Sequence, residues 1–194
     1  MRVAIVPARG GSQRIPGKNT KPFMGKPMIL WPLEAAVRSD LFDSIIVSTD
    51  SDAIAKLVSG RGCEVVMREP DDGATGTQEI AARVLDARPE FDQACVIYPC
   101  SPMLTPADLH ETYSAWQRRP DRFLSTAVRV GDFEASDAGC LYWGLASSFR
   151  ARQPYENGPG FNHFVHLVDP ARFIDINTPE DWARAESMFN ALHP

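Results

Sequence analysis

The run Val3-Ala4-Ile5-Val6-Pro7 constrains this chain more than any other stretch. Small and β-branched apolar residues without polar alternation make a strand buried on both faces, and such a strand needs helices above and below its sheet. Directly after it come Ala8-Arg9-Gly10-Gly11-Ser12-Gln13-Arg14-Ile15-Pro16-Gly17-Lys18-Asn19, with three glycines, two arginines and a lysine but no hydrophobic period. A buried strand therefore opens into a cationic turn. Glycines let backbone N–H groups approach a polyphosphate, and Arg9, Arg14 and Lys18 supply the opposing charge. A solvated basic turn has the same composition, and the pattern is neither a Walker loop nor a dinucleotide fingerprint, so the loop alone leaves both readings open.

The rest of the chain alternates strand and helix. Met28 to Ser39 carries apolar residues at helical spacing, with Pro32 tolerable only in the first turn. Ser44–Ser48 predicts a strand, Asp50-Ser51-Asp52 the cap of a helix with Ile54, Leu57 and Val58 inward, and Glu64–Met67 a short third strand. A helix carrying Ile80, Ala81, Val84 and Leu85 leads to Ala94–Tyr98, whose continuous hydrophobicity predicts a central strand. Thr105-Pro106 and Thr178-Pro179-Glu180-Asp181 start two more helices, the last with Trp182, Ala185, Phe189 and Leu192 as its stripe. Phe123–Val130 and Gly139–Trp143 predict strands, 150–164 a loop, and Val165–Val168 and Phe173-Ile174 short extended pieces. This alternation predicts an α/β fold: a three-layer α/β/α, Rossmann-like arrangement around a mainly parallel mixed sheet, in one domain spanning 1–194. Ligands of such sheets sit outside the carboxyl ends of the strands, which gathers the loops after Pro7, Ser48, Tyr98 and Ile174 on one rim.

A hydrophobic fraction of 44%, a charged fraction of 23% and a net charge of −5 describe an ordinary globular chain and argue against broad binding to nucleic acid or an anionic membrane. The chain opens directly on a strand, so no signal peptide is expected. Cys63, Cys95, Cys100 and Cys140 form no Cys-x-x-Cys pair and read as reduced thiols of a cytoplasmic protein.

With the loop Ala8–Asn19 in view, further motifs follow in order: Lys21-Pro22-Phe23, Gly25-Lys26-Pro27-Met28-Ile29, Val47-Ser48-Thr49-Asp50, Thr75-Gly76-Thr77, Ser101-Pro102-Met103-Leu104-Thr105, Asp137-Ala138-Gly139 before Tyr142-Trp143-Gly144, and Asp175-Ile176 before Thr178-Pro179-Glu180-Asp181-Trp182. Together they resemble the sugar-acid cytidylyltransferases, which join CMP to sialic acid and related nonulosonic acids. Thr-Gly-Thr and Ala-Gly-x-x-Tyr-Trp-Gly are most similar to the pseudaminic acid branch.

The resemblance implies transfer of CMP from CTP to an acidic nine-carbon sugar, giving an activated sugar for surface glycan or flagellin glycosylation, with a homodimer as one open assembly. It implies that Ala8, Arg9, Gly10, Gly11, Ser12, Lys18 and Ser101 bind the nucleotide, with Arg9 and Lys18 catalytic. It further implies that Asp137 and Tyr142 face the sugar, and that Asp175 and Asn177 hold Mg²⁺ or Mn²⁺. Side chains at i and i+2 of an extended segment share a side, which suits one hard cation; Asn177 also suits an N-cap or Asx turn. Ser101 fits a turn residue equally well, Tyr142 fits plain packing, and Asp50 reads as a cap before a metal ligand. Arg14 is expected to face solvent. His163 and His166 lack a third ligand nearby and read as surface histidines. Gln13 stands where the family commonly has lysine, Cys140 where the branch has glutamine, and Asn177 where the family has aspartate. The segment around 128–168 is reduced beside the projecting subdomain that family members carry there. Two rival readings stay open: a sialic or legionaminic acid as acceptor, and a degenerate homologue that binds nucleotide without turnover.

Overall fold

The computed structural model describes residues 1–70, 75–131, 134–153 and 163–193. The elements run β1 (Arg2–Ala8), a small hairpin of β2 (Pro22–Phe23) and β3 (Lys26–Pro27), α1 (Leu30–Ser39), β4 (Ser44–Thr49), α2 (Asp52–Val58), β5 (Glu64–Met67), α3 (Thr77–Asp86), β6 (Gln93–Ile97), α4 (Pro106–Trp116), β7 (Phe123–Val130), β8 (Glu134–Leu145), α5 (Ala146–Arg150), β9 (His163–Val168) and α6 (Pro179–Leu192). Seven strands form one sheet in the order β5-β4-β1-β6-β8-β7-β9. Pairing is parallel from β5 through β6 and between β7 and β9. β8 alone runs against its neighbours. Its first half therefore begins at the rim where the other strands end.

The period of two along β1 divides the core. Ala4, Val6 and Ala8 join Leu33 and Ala36 of α1, Ile54 of α2 and Leu109 and Trp116 of α4 in one cluster. Val3 and Ile5 pack with Ala81 and Leu85 of α3 and Phe149 of α5 on the other face. This is the expected three-layer arrangement, with β6 in the middle of the sheet. Pro32 sits in the first turn of α1. Thr105 and Thr178 each close a capping box with an aspartate at the third helical position, satisfying end-of-helix donors from both sides.

A third cluster positions the site. Phe23 of β2 meets Trp182 and Phe189 of α6 edge-on, at ring centroid distances of 5.4 and 5.7 Å. Ile15 of the basic loop and Ile176, ahead of α6, are buried in the same cluster. The loop after β1 and the segment Asp175–Asn177 are thus fixed against each other by apolar contact.

Some expectations need correction. Phe173 packs into the core, yet Phe173 and Ile174 form no strand. Leu192 is exposed and leaves the α6 stripe. The stretch read as a reduced segment is partly strand, with Val130 paired to Glu134 and Ala127 to Asp137. β9 starts at His163, earlier than expected, and α5 was not anticipated; most of the expected loop over 150–164 lies outside the described residues. The four cysteines are free. Among the described residues no helix is long and apolar enough to cross a membrane.

Candidate active site

The carboxyl ends of β1, β5 and β6, the start of β8 and the start of α3 surround a cavity of about 1080 Å³. Single small-molecule sites commonly measure about 300–1,000 Å³, so this one stands at the top of that range.

One side is cationic. Arg9, Ser12, Gln13, Arg14, Lys18 and Asn19 line it, and Arg68 joins them from the end of β5. Asn19 is buried and donates its side-chain amide to the Arg9 carbonyl at 2.9 Å, which stiffens the loop from within. Lys18 Nζ donates to the Ile176 carbonyl at 2.6 Å, and Arg14 Nη2 donates to Asn177 Oδ1 at 2.9 Å. Arg14 is exposed, as expected, yet also lines the cavity and reaches Asn177.

The backbone of the loop behaves differently from expectation. Gly10 N–H donates to Asp50 Oδ1 at 2.7 Å, and Ser12 N–H to the Gly10 carbonyl at 3.1 Å, so these two amides are engaged within the protein. Gly10 lies so close to α2 that a Cβ would stand 2.9 Å from Ser51 Cβ. Ala8, Gly10 and Gly11 do not line the cavity: Ala8 is fully buried in the sheet and Gly11 is exposed. Asp50 is neither cap nor open ligand. Ser51 caps α2, and the Asp50 carboxylate, 7% exposed, sits between Gly10 and Arg68, whose Nη2 is 3.6 Å away.

The facing wall carries hydroxyls and acids. Tyr142 donates its hydroxyl to Asp137 Oδ2, while Gly139 N–H donates to Asp137 Oδ1 at 2.8 Å. The Tyr98 and Thr77 hydroxyls are 3.0 Å apart, and burial pushes the Tyr98 hydroxyl above its ordinary pKa. Ser125 Oγ lies 2.6 Å from His163 Nε2. Asp137 and Tyr142 are thereby joined on one wall of the cavity. Ser101 does not join them: it is buried, its hydroxyl donates to the Gly139 carbonyl at 3.3 Å, and its carbonyl accepts the Leu104 N–H at 3.2 Å, a turn bond in keeping with the turn-residue alternative.

Asp175 and Asn177 both line the cavity because Ile176 between them is fully buried. Desolvation pushes the Asp175 carboxyl above its ordinary value, and the negative charge of Asp137 adds to the effect. Gly139, at φ +57°, packs against this carboxylate, and a Cβ there would fall 2.7 Å from Asp175 Cγ. A half-enclosed carboxylate facing another acid fits a divalent cation. Asn177 fits less well: its amide nitrogen donates to Asp175 Oδ2 and its oxygen accepts from Arg14, so no oxygen is turned beside Asp175. Among the described residues no group of three or more His, Cys, Asp or Glu could hold a metal. An ion at Asp175 would therefore depend on water and phosphate oxygens, as Mg²⁺ commonly does.

Arg68, Tyr98 and Ser125 were not singled out from sequence, Asn19 and Thr77 entered only as motif residues, and His163, read as a surface histidine, is half-buried and lines the cavity. Arg68 and Tyr98 directly follow β5 and β6, so the rule on strand ends could have marked them. Ser125, a buried hydroxyl in an apolar strand, was a second available signal.

A cytidylyltransferase family profile matches residues 3–137. The CMP-N,N'-diacetyllegionaminic acid synthase of Legionella pneumophila is 28% identical over 97% of this chain and 96% of its own length. The pseudaminic acid cytidylyltransferase of Campylobacter jejuni is 33% identical over 65% of this chain and 57% of its own. The N-acylneuraminate cytidylyltransferase A of Danio rerio is 40% identical over 94% of this chain, which spans 49% of that protein. Among solved structures, a CMP:2-keto-3-deoxy-manno-octonic acid synthetase complexed with CTP superimposes with a TM-score of 0.77 at 16% identity, covering 98% of this chain and 99% of that one. A Mycobacterium tuberculosis protein solved with manganese gives 0.70 at 17% identity, over 96% and 98%. These two likenesses concern the fold alone. The profile spans well over half the sequence, and the chain belongs to the cytidylyltransferase family, whose members are nucleotidyltransferase enzymes.

Proposed function

We propose that this protein transfers CMP from CTP to a nonulosonic acid with release of pyrophosphate, and that pseudaminic acid is the acceptor. The observation that carries the reading is the polarity of the cavity: Arg9, Arg14, Lys18 and Arg68 on one side, and the hydroxyl and carboxylate wall of Tyr98, Ser125, Asp137 and Tyr142 on the other. Attack of the acceptor hydroxyl on the α-phosphorus builds negative charge on the phosphoryl oxygens and on the leaving pyrophosphate. Fixed cations beside that charge, with both reactants held in line, supply most of the rate in such displacements.

Arg9 and Lys18 are assigned to the triphosphate, while Asp137 and Tyr142 are assigned to hydroxyl groups of the sugar. Asp175 would hold a divalent cation, Mg²⁺ or Mn²⁺, which when bound neutralises phosphate charge. The protein acts as one domain with a reduced β7–β8 segment, in the cytoplasm, where CTP is available and four unpaired thiols stay reduced.

Legionaminic acid is the second reading, favoured by the Legionella relative, whose similarity extends over nearly the whole of both chains. Pseudaminic acid rests on Thr75-Gly76-Thr77 and on Ala138-Gly139 before Tyr142-Trp143-Gly144. Pyrophosphate release from CTP and Mg²⁺ with a panel of pseudaminic, legionaminic and sialic acids tests both. Fastest turnover of pseudaminic acid is expected. Faster turnover of another acid corrects the acceptor, and CTP binding without release under any acceptor refutes the activity.

A further inference from the structure

A sugar hydroxyl attacks phosphorus well only as it loses its proton, so the reaction proposed above needs an acceptor for that proton. Among the described groups lining the cavity, most are committed. Arg9, Arg14, Lys18 and Arg68 are cations. Both Asp137 oxygens accept hydrogen bonds, from Tyr142 and from Gly139. Asp175 is engaged by the Asn177 amide. Glu79 accepts from Arg83 and Arg152, which hold its carboxyl below the ordinary value. Tyr98 is pushed toward its protonated form by burial.

His163 is different. It opens β9, half-buried, and lines the cavity together with Ser125. β7 presents Ser125 to its ring, β8 presents Asp137 and Tyr142 to the same wall, and among the described residues Asp137 is the charged group acting on it. Burial pushes the His163 pKa down while the Asp137 charge pulls it up, leaving a neutral imidazole at pH 7. Ser125 is 5% exposed, a polar residue in a doubly buried strand that needs a partner, and Nε2 of His163 is that partner. With Ser125 donating, Nε2 carries the lone pair and Nδ1 the proton.

Resting on the proposed transfer activity, we propose that Ser125 and His163 form a proton relay for the attacking hydroxyl. As the acceptor oxygen bonds to the α-phosphorus, its proton passes to Ser125 Oγ and the proton of Ser125 passes to His163 Nε2. The bond from the α-phosphorus to the bridging oxygen breaks, and pyrophosphate leaves with the electron pair. The imidazolium then releases its proton to solvent.

The test is steady-state kinetics of Ser125→Ala, His163→Asn and the double variant across pH 5–9, with CTP calorimetry on each. The relay predicts that kcat falls by about 10²-fold in either single variant. The double variant should be no worse than the singles, because the two residues act as one unit. KM and binding heat for CTP should be unchanged, and the acid limb of the wild-type kcat profile should vanish in His163→Asn. Added imidazole should restore part of the activity of His163→Ala. Variants that keep the wild-type kcat and acid limb, that raise only the acceptor's KM, or that lose CTP binding overturn the relay and leave the transfer activity standing. A wild-type protein that binds CTP but releases no pyrophosphate with any acceptor overturns the activity, and the relay with it.

Discussion

The carboxylate of Asp50 accepts the backbone N–H of Gly10 at 2.7 Å, so the end of β4 holds the turn that leaves β1. The same carboxylate lies 3.6 Å from Arg68. Asp50→Ala should therefore destabilise the protein by about 1–3 kcal/mol, the range for a buried donor that loses its partner, and should weaken CTP binding as well. Asp50→Asn keeps an acceptor for Gly10 and should recover part of the stability. Urea denaturation and CTP calorimetry on the two variants read the two effects separately.

Gly139 meets two demands at once, a left-handed φ of +57° and a surface on which the Asp175 carboxylate rests. Gly139→Ala should cost about 1–3 kcal/mol through backbone strain and crowding. It should also displace Asp175. Thermal melting together with a Mn²⁺ titration in the presence of CTP checks both consequences.

Asn177 donates to Asp175 and accepts from Arg14, an arrangement with no charge of its own to offer a cation. In Asn177→Asp, the donor is replaced by a second carboxylate beside the first, and Mg²⁺ should bind more tightly. Stability without metal should fall, since two like charges then share one segment. A metal affinity unchanged in calorimetry would count against Asp175 as the cation's anchor.

The start of α6 should respond to acid. Burial works to push the Asp181 carboxyl up, but donors from Asn177 N–H, Thr178 N–H and the Thr178 hydroxyl, at 3.0, 2.8 and 3.0 Å, outweigh it and hold the pKa below the ordinary 3.8. A depressed carboxylate stabilises the fold above its unfolded pKa, and the gain disappears as pH falls through the folded value. Asp181→Ala should cost about 1 kcal/mol at pH 7, as loss of a cap commonly does, and less at pH 2. Denaturation midpoints of the two proteins at the two pH values give the comparison.

Much of the fold was legible because local chemistry and tertiary structure agree. The unbroken apolar run of β1 is buried on both faces, and Thr-Pro followed by an aspartate opens both α4 and α6. Agreement fails where an element owes its existence to a distant partner. β9 is a short run beside a Pro- and Gly-rich stretch and becomes a strand because β7 lies alongside it. Phe173-Ile174 has a strand-like pattern but pairs with no strand among the described residues. The site divides in the same way. Arg9 and Lys18 announce themselves by charge next to glycine, whereas Ser125 and His163 come from two separate strands and make sense only when paired. Asp50 was misread because a carboxylate between strand and helix is usually a cap, and here the adjacent Ser51 takes that role.

β8 runs against the direction of the other strands of its sheet, so Asp137 and Gly139 stand in its first half, while Arg9 and Arg68 follow the exits of parallel strands. The carboxylate wall and the cationic turn thus rest on strands of opposite direction within one sheet. Changes of chain length between Val130 and Glu134 should therefore reach the wall of Asp137 and Tyr142 before the turn that carries Arg9 and Lys18.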